Sequence, residues 1–372
     1  MSLRKPQPLA ALYTETIERH GYARDAGQER AIARLEDLRR RLIEQPRDFG
    51  FFKRRMLQLL PGRTTIEPVR GLYVWGGVGR GKTMLMDLFY SSLPFAERER
   101  RHFHRFMHDV HAELGKLKNH AQPLELVAHR IANRTRLICF DEFFVADIAD
   151  AMLLGTLFDG LFRRGVTLVA TSNTQPKDLY RGGLQRQRFL PTIKLLEKHT
   201  EALHLEGDVD YRLRQLRSAS IYVHSKAADA NAQLETTFAA VAGEPGQPDG
   251  ALAIEHRRVR TVRQADDVAW FTFHDLCEGP RSQNDYMELA SWFHTLIVSD
   301  VPCFEATADN AARRFITLVD VLYDHNVNLI LSAAAPPAEL YRGVKLKNDF
   351  QRTASRLVEM QAEAYLARAH KP

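Results

Sequence analysis

The sequence predicts an α/β fold: a parallel sheet with crossover helices, followed by a smaller C-terminal α/β unit. Three observations carry this. From residue 71 onward, short apolar runs alternate with helix-length stretches, the pattern of strand–helix–strand units. Residues 71–83 read Gly-Leu-Tyr-Val-Trp-Gly-Gly-Val-Gly-Arg-Gly-Lys-Thr, an apolar strand running into a glycine-rich loop. Residues 137–142 read Leu-Ile-Cys-Phe-Asp-Glu, a buried strand ending in two carboxylates.

Taken in order, residues 8–45 read as helical. Ile32, Leu35, Leu38 and Leu42 recur at helical spacing, and Pro46 ends the run. Asp25 through Gln28 stand just before it, as a polar cap or as a place to touch an adenine. The strands that follow are expected at 71–75, 101–104, 136–140, 166–171 and 201–206, with helices at 82–92, 105–120, 147–164 and 185–199 between them. Residues 207–220 are rich in arginine, and 241–250, with two prolines and three glycines, read as a turn or flexible loop. Beyond it, 270–273, 295–301 and 328–333 read as strands, and 309–325 and 350–369 as helices. The expected organisation is an N-terminal helical lead-in (1–70), a nucleotide-binding core (71–210), a variable connecting region (211–270) and a C-terminal α/β lid-like domain (271–372). No internal repeat and no low-complexity tract stands out.

The balance of 45% hydrophobic and 26% charged residues is that of an ordinary soluble protein. No apolar run approaches a membrane span, and the chain opens without a charged-then-apolar leader, so the expected location is the cytoplasm. Cys139, Cys277 and Cys303 are scattered and odd in number, which argues against a disulfide framework. The net charge of +6 permits an acidic partner, whether nucleic acid, protein or membrane surface, without selecting one.

The chemistry concentrates in two places. The loop has the form G-x-x-x-x-G-K-T, and its glycines let backbone N–H groups turn inward around a phosphate. Gly76, Gly77, Val78, Gly79, Arg80, Gly81, Lys82 and Thr83 are therefore the expected ATP-binding residues. Lys82 faces the β/γ-phosphates and Thr83 a Mg²⁺ ion, with the next helix pointing its N-terminus at the anion. This makes the fold a P-loop NTPase. Asp141 falls at the carboxyl end of its strand, where ligands bind in open sheets. It is the expected second holder of Mg²⁺, through water, and Glu142 the group that polarises the attacking water. Asn173, at the end of the next strand, is the expected γ-phosphate sensor. Arg188 and Arg186 both suit an arginine supplied in trans to a neighbour's site. His104, His108 and His111 could share a helix face and bind a metal, although a strand-to-helix junction beside the nucleotide or a central channel is the favoured reading of the cluster from His102 to His111. No guanine-reading N-K-x-D stretch is visible, which sets a GTPase aside.

Further segments make the likeness specific. Phe103-His104-Arg105-Phe106-Met107-His108, Gly183–Pro191, Asp210-Tyr211-Arg212, Gly279-Pro280-Arg281-Ser282, Ala312-Arg313-Arg314-Phe315-Ile316 and Arg352-Thr353-Ala354-Ser355-Arg356-Leu357 join the loop and the Asp141 strand. With these the chain, from about residue 8 to 369, resembles the ZapE-type cell-division ATPases of bacteria and their mitochondrial relatives, a branch of the AAA+ class. The resemblance implies a RecA-like core and a cytoplasmic Mg-ATP hydrolase that remodels polymers of the tubulin-like protein FtsZ late in division. It also implies self-association into a ring, expected to be a hexamer. A nucleotide-sensing arginine from the second domain would be Arg281, Arg313 or Arg356. Two alternatives stay open: a nucleic-acid-stimulated ATPase of the helicase-loader kind, and a membrane-associated quality-control adaptor. Nucleic acid is not favoured, because no helix-turn-helix and no aromatic stacking platform is apparent.

Overall fold

The computed structural model describes residues 7–20, 23–44, 66–77, 79–117, 120–145, 147–206, 216, 220–225, 229–243, 245–254, 257–265 and 267–371. Val78 and most of the arginine-rich stretch 207–220 lie outside them. The chain divides into two compact units, Met1–Val209 and Asp210–Pro372.

The first unit opens with helices α1 (Leu9–His20) and α2 (Ala26–Glu44). Strands β1 (Gly71–Trp75), β2 (Arg98–His102), β3 (Leu137–Asp141), β4 (Thr167–Ser172) and β5 (Thr200–His204) follow, separated by α3 (Lys82–Ser92), α4 (Phe103–Lys116), α5 (Pro123–Arg134), α6 (Ile148–Phe162) and α7 (Arg186–His199). The strands form one sheet in the order β2-β3-β4-β1-β5, and every pairing is parallel. A parallel sheet needs cover on both faces, so its inner strands are buried along their length rather than at alternate positions. β3 and β4 are buried at every position. The side chains of β1 divide between the faces. Tyr73 joins Phe106, Phe140 and Phe158 on the side of α4 to α7, while Leu72 and Val74 join Leu35, Leu85 and Phe89 on the side of α1 to α3.

β2 departs from the expectation. It occupies the charged run Arg-Glu-Arg-Arg-His, earlier than 101–104, because α4 already begins at Phe103. It is an edge strand, where charge is tolerated and hinders pairing with other chains.

The second unit contains β6 (Tyr222–His224), α8 (Ala230–Ala242), β7 (Gln247–Ile254), β8 (Arg257–Gln264), β9 (Val268–Thr272), α9 (Gln283–Trp292), β10 (Thr295–Val301), α10 (Asp309–Asp324), β11 (Asn328–Ala333), α11 (Lys347–Glu359) and α12 (Glu363–Leu366). Its sheet runs β6-β11-β10-β9-β8-β7, parallel from β6 to β9, with β7 and β8 an antiparallel hairpin at the edge. Residues 211–270 thus contribute four strands to the same sheet as β10 and β11. The loop expected at 241–250 is shorter: Gly243 ends α8 in a left-handed conformation and β7 begins at Gln247. The single helix expected at 350–369 is two, broken after Glu359. No helix among the described residues is long and apolar enough to cross a membrane.

Candidate nucleotide site

The glycine-rich loop leaves β1 at Gly76, whose N–H donates to the Ser172 carbonyl of β4, and it ends at Gly81. Gly79 and Gly81 have φ of 71° and 78°, the left-handed region that a side chain makes costly. Gly81 is the N-cap of α3 and offers no side-chain cap, so the first N–H groups of that helix face the loop. The Lys82 ammonium curls back to donate to the carbonyls of Gly76 (2.7 Å) and Gly77 (2.6 Å) and to Asn173 Oδ1 (2.8 Å). The cation is thereby held over the loop, at the carboxyl end of the sheet.

A support beneath the loop was not foreseen in this form. Buried Gln28, in the first turn of α2, donates from Nε2 to the Arg80 carbonyl at 3.0 Å, and its Oε1 accepts from the Tyr13 hydroxyl at 3.0 Å. Asp25 accepts the Gln28 N–H at 2.9 Å, the polar-cap role. The N-terminal helices thus fix the loop through one amide side chain.

Asp141 ends β3 with only 3% of its surface exposed. Its Oδ2 accepts from Arg100 Nε at 2.6 Å, and its Oδ1 accepts from the Thr171 hydroxyl at 3.5 Å. Arg100 also pairs with Asp87 on α3. Burial alone would lower the Arg100 pKa, but the carboxylates of Asp141 and Asp87 outweigh it and raise the value, so the guanidinium is a permanent charge. Sequence reasoning missed Arg100 because a run of five arginines and glutamates, 97–101, looks like solvated surface. The available signal was its place in a strand beside β3. Glu142 follows in the left-handed region (φ 50°), with its N–H donating to Thr171 Oγ1 at 3.3 Å.

Of the other expected residues, Asn173 is exposed and meets Lys82, whereas the two arginines of α7 differ. Arg186 donates to the Lys177 carbonyl at 2.6 Å, while Arg188 is exposed and touches only its neighbour Gln185 at 3.1 Å among the contacts resolved for it. In the second unit Arg356 is paired with Asp320 (2.5 Å) and lies over the Tyr323 ring, and Arg281 donates to the Asp275 carbonyl (3.1 Å). Both therefore have structural partners within their own unit.

The AFG1-like ATPase family model matches residues 8–369. The chain belongs to the AFG1-like ATPase family. It is 45% identical over 365 residues to the cell division protein ZapE of Escherichia coli, covering 96% of this chain and 97% of that protein. It is 37% identical over 346 residues to lactation elevated protein 1 homolog B of Danio rerio, covering 80% of this chain and 69% of that one. Among solved structures, AMPPCP-bound DnaA from Aquifex aeolicus matches 54% of this chain and 53% of its own at 14% identity, with a TM-score of 0.33.

This AFG1-like ATPase is a P-loop ATP hydrolase. Among its described residues no group of three His, Cys, Asp or Glu could hold a metal by itself. The oxygen donors expected for a metal are a hydroxyl, Thr83 in the first turn of α3, and one carboxylate, Asp141 at the end of β3. Such a sparse oxygen set fits Mg²⁺, which keeps its waters and completes its shell from substrate phosphates. The histidine cluster takes another part: His111 Nε2 bonds Asp150 Oδ1 at 2.6 Å and the His102 and His104 rings lie 6.0 Å apart.

Proposed function

We propose that this AFG1-like ATPase acts in the cytoplasm in late cell division, coupling Mg-ATP hydrolysis to remodelling of FtsZ polymers at the division ring. The observation that carries this reading is the near full-length 45% identity to the cell division protein ZapE of Escherichia coli. In this account Lys82 leaves the Gly76 and Gly77 carbonyls and neutralises the β- and γ-phosphate oxygens, while the N–H groups of the loop and of α3 hold the remaining oxygens. Thr83, and Asp141 through water, would hold Mg²⁺, which would supply further charge neutralisation. Arg100 keeps Asp141 aimed. Glu142 orients the attacking water and takes its proton, and Asn173 couples the γ-phosphate position to Lys82.

Arg188, exposed where Arg186 is tethered, is the arginine that reaches a neighbouring subunit's site; this implies a ring, taken to be a hexamer as in the AAA+ class. Hydrolysis then alters subunit packing and moves the bound partner. The experiment is Mg-ATP turnover by the full chain alone, with FtsZ polymers, and with single-stranded DNA. Turnover and filament length that change together with FtsZ support the reading. Stimulation by DNA alone transfers the engine to a nucleic-acid load, a reading for which the +6 charge speaks.

A further inference from the structure

The second unit repeats the first. Residues 148–199 and 309–360 align without a gap, and Leu179-Tyr180-Arg181-Gly182 recurs as Leu340-Tyr341-Arg342-Gly343. Strand registers coincide across this alignment. Leu137 pairs with Thr167 as Thr295 pairs with Asn328. His102 pairs with Asp141 as Thr272 pairs with Ser299. Val74 pairs with Thr171 as Val223 pairs with Ser332. The orders β2-β3-β4-β1 and β9-β10-β11-β6 are therefore the same wiring.

Single hydrogen bonds are duplicated as well. Tyr73 donates to the Thr174 carbonyl at 2.8 Å and Tyr222 to the Ala335 carbonyl at 2.6 Å. Gly76 N–H reaches Ser172 O as Ser225 N–H reaches Ala333 O, and Val166 N–H reaches Leu161 O as Val327 N–H reaches Leu322 O. The left-handed turns match: Gly165 (φ 74°) with Asn326 (φ 53°), and Glu142 (φ 50°) with Asp300 (φ 64°). Even the hydroxyl that holds the second turn recurs, since Asp300 N–H donates to Ser332 Oγ at 3.0 Å as Glu142 N–H donates to Thr171. The 3-10 turns Pro176–Asp178 and Pro337–Glu339 and the helices α7 and α11 fall in the same register. Shared secondary structure could arise independently, but matching register, handed turns and side-chain bonds at aligned positions mark a duplication. The repeat escapes sequence reading because the residues that differ most are those with recognisable chemistry.

We infer that the second unit is a copy of the ATPase module from which the nucleotide chemistry is gone, so that each chain binds one nucleotide and the second unit acts without one. Where the first has Gly76 to Thr83, the second reads Ser-Lys-Ala-Ala-Asp-Ala-Asn-Ala over 225–232, without glycine and with Asn231 in the place of Lys82. Asp141 is replaced by Ser299, Asn173 by Ala334 and Arg188 by Asp349. Only an acid after the strand, Asp300, survives. The framework is retained while phosphate, metal and sensor groups are absent. In exchange the copy carries the hairpin β7–β8 between α8 and β9, where the first unit passes from α3 to β2 in five residues, 93–97.

The test titrates MgADP into the full chain by calorimetry, with turnover measured in parallel. One site per chain is expected in the wild type and none in Lys82→Ala; MgADP binding that persists in Lys82→Ala overturns the inference. Asp300→Ala is expected to leave turnover unchanged, and a tenfold or larger fall, about 1.4 kcal/mol, with an unaltered melting curve would give the second unit a hydrolytic role and overturn it too. An experimental structure with a non-hydrolysable ATP analogue should show the two sheets superimposing strand for strand. Units that fail to superimpose refute the duplication whatever binds.

Discussion

Arg100 Nε stands 2.6 Å from Asp141 Oδ2, and both side chains are almost wholly removed from solvent. A buried ion pair of this kind is not strong evidence for stability, but removing one partner strands the other. Arg100→Ala should therefore lower folding stability by about 3–5 kcal/mol. It should also reduce ATP turnover, because Asp141 without its partner is free to turn away. Arg100→Lys restores charge without the paired geometry and should recover stability better than turnover. Denaturant melts beside hydrolysis rates separate the two effects.

The Lys82–Asn173 contact links the ammonium of the glycine-rich loop to the end of β4. Lys82→Ala should abolish detectable nucleotide binding. Asn173→Ala should keep binding within a few fold and lower turnover by roughly 10–100-fold, the range expected for a lost orienting group. Equal losses of binding in both variants would remove the sensor role of Asn173.

Gly81 has no room for compromise in its backbone. With φ at 78°, an alanine there costs about 1–2 kcal/mol, and its Cβ would lie 2.7 Å from Gln28 Nε2. Gly81→Ala is expected to weaken nucleotide binding at least tenfold. Gln28→Ala removes the loop's support together with the hydrogen bonds to the Arg80 carbonyl and from the Tyr13 hydroxyl, a loss of about 1–3 kcal/mol in stability. Fluorescent-nucleotide titration and thermal melts check both.

His199 closes α7, stacked on Phe162 with ring centroids 4.3 Å apart. Burial, and then the neighbouring Lys198 charge, lower its pKa below the ordinary 6.5. Its folded value lies below its unfolded one, so the unfolded chain binds the extra proton first. Its contribution is complete above about pH 6.5 and is lost as pH falls through the folded pKa. His199→Phe should flatten the acid limb of the stability profile, measured by chemical denaturation from neutral to mildly acidic pH.

The parts of this molecule that could be read from sequence are those where a local residue choice has one physical use. The glycines and Lys82 declare a phosphate loop, and the apolar run into Asp141 declares a buried strand with a carboxylate at its ligand end. The parts that could not be read depend on pairing. Arg98–His102 looks like surface until β3 lies beside it. Gln28 looks like a helix cap until the Arg80 carbonyl is found above it. Gln247 onward looks like a loop, since Pro248 and Gly250 are poor strand formers, yet an edge strand tolerates both. The duplication is hidden for a related reason: the shared part is packing, which many sequences satisfy, and the distinctive part has been lost from one copy.

The most direct test of the catalytic assignment is Glu142→Gln, measured for MgATP affinity and for turnover on the same preparation. The change keeps size but removes the carboxylate proposed to accept a proton from water. The account predicts affinity within a few fold of wild type and turnover lowered by about 100-fold or more. Turnover that stays at the wild-type rate would contradict it and place the water-activating group elsewhere.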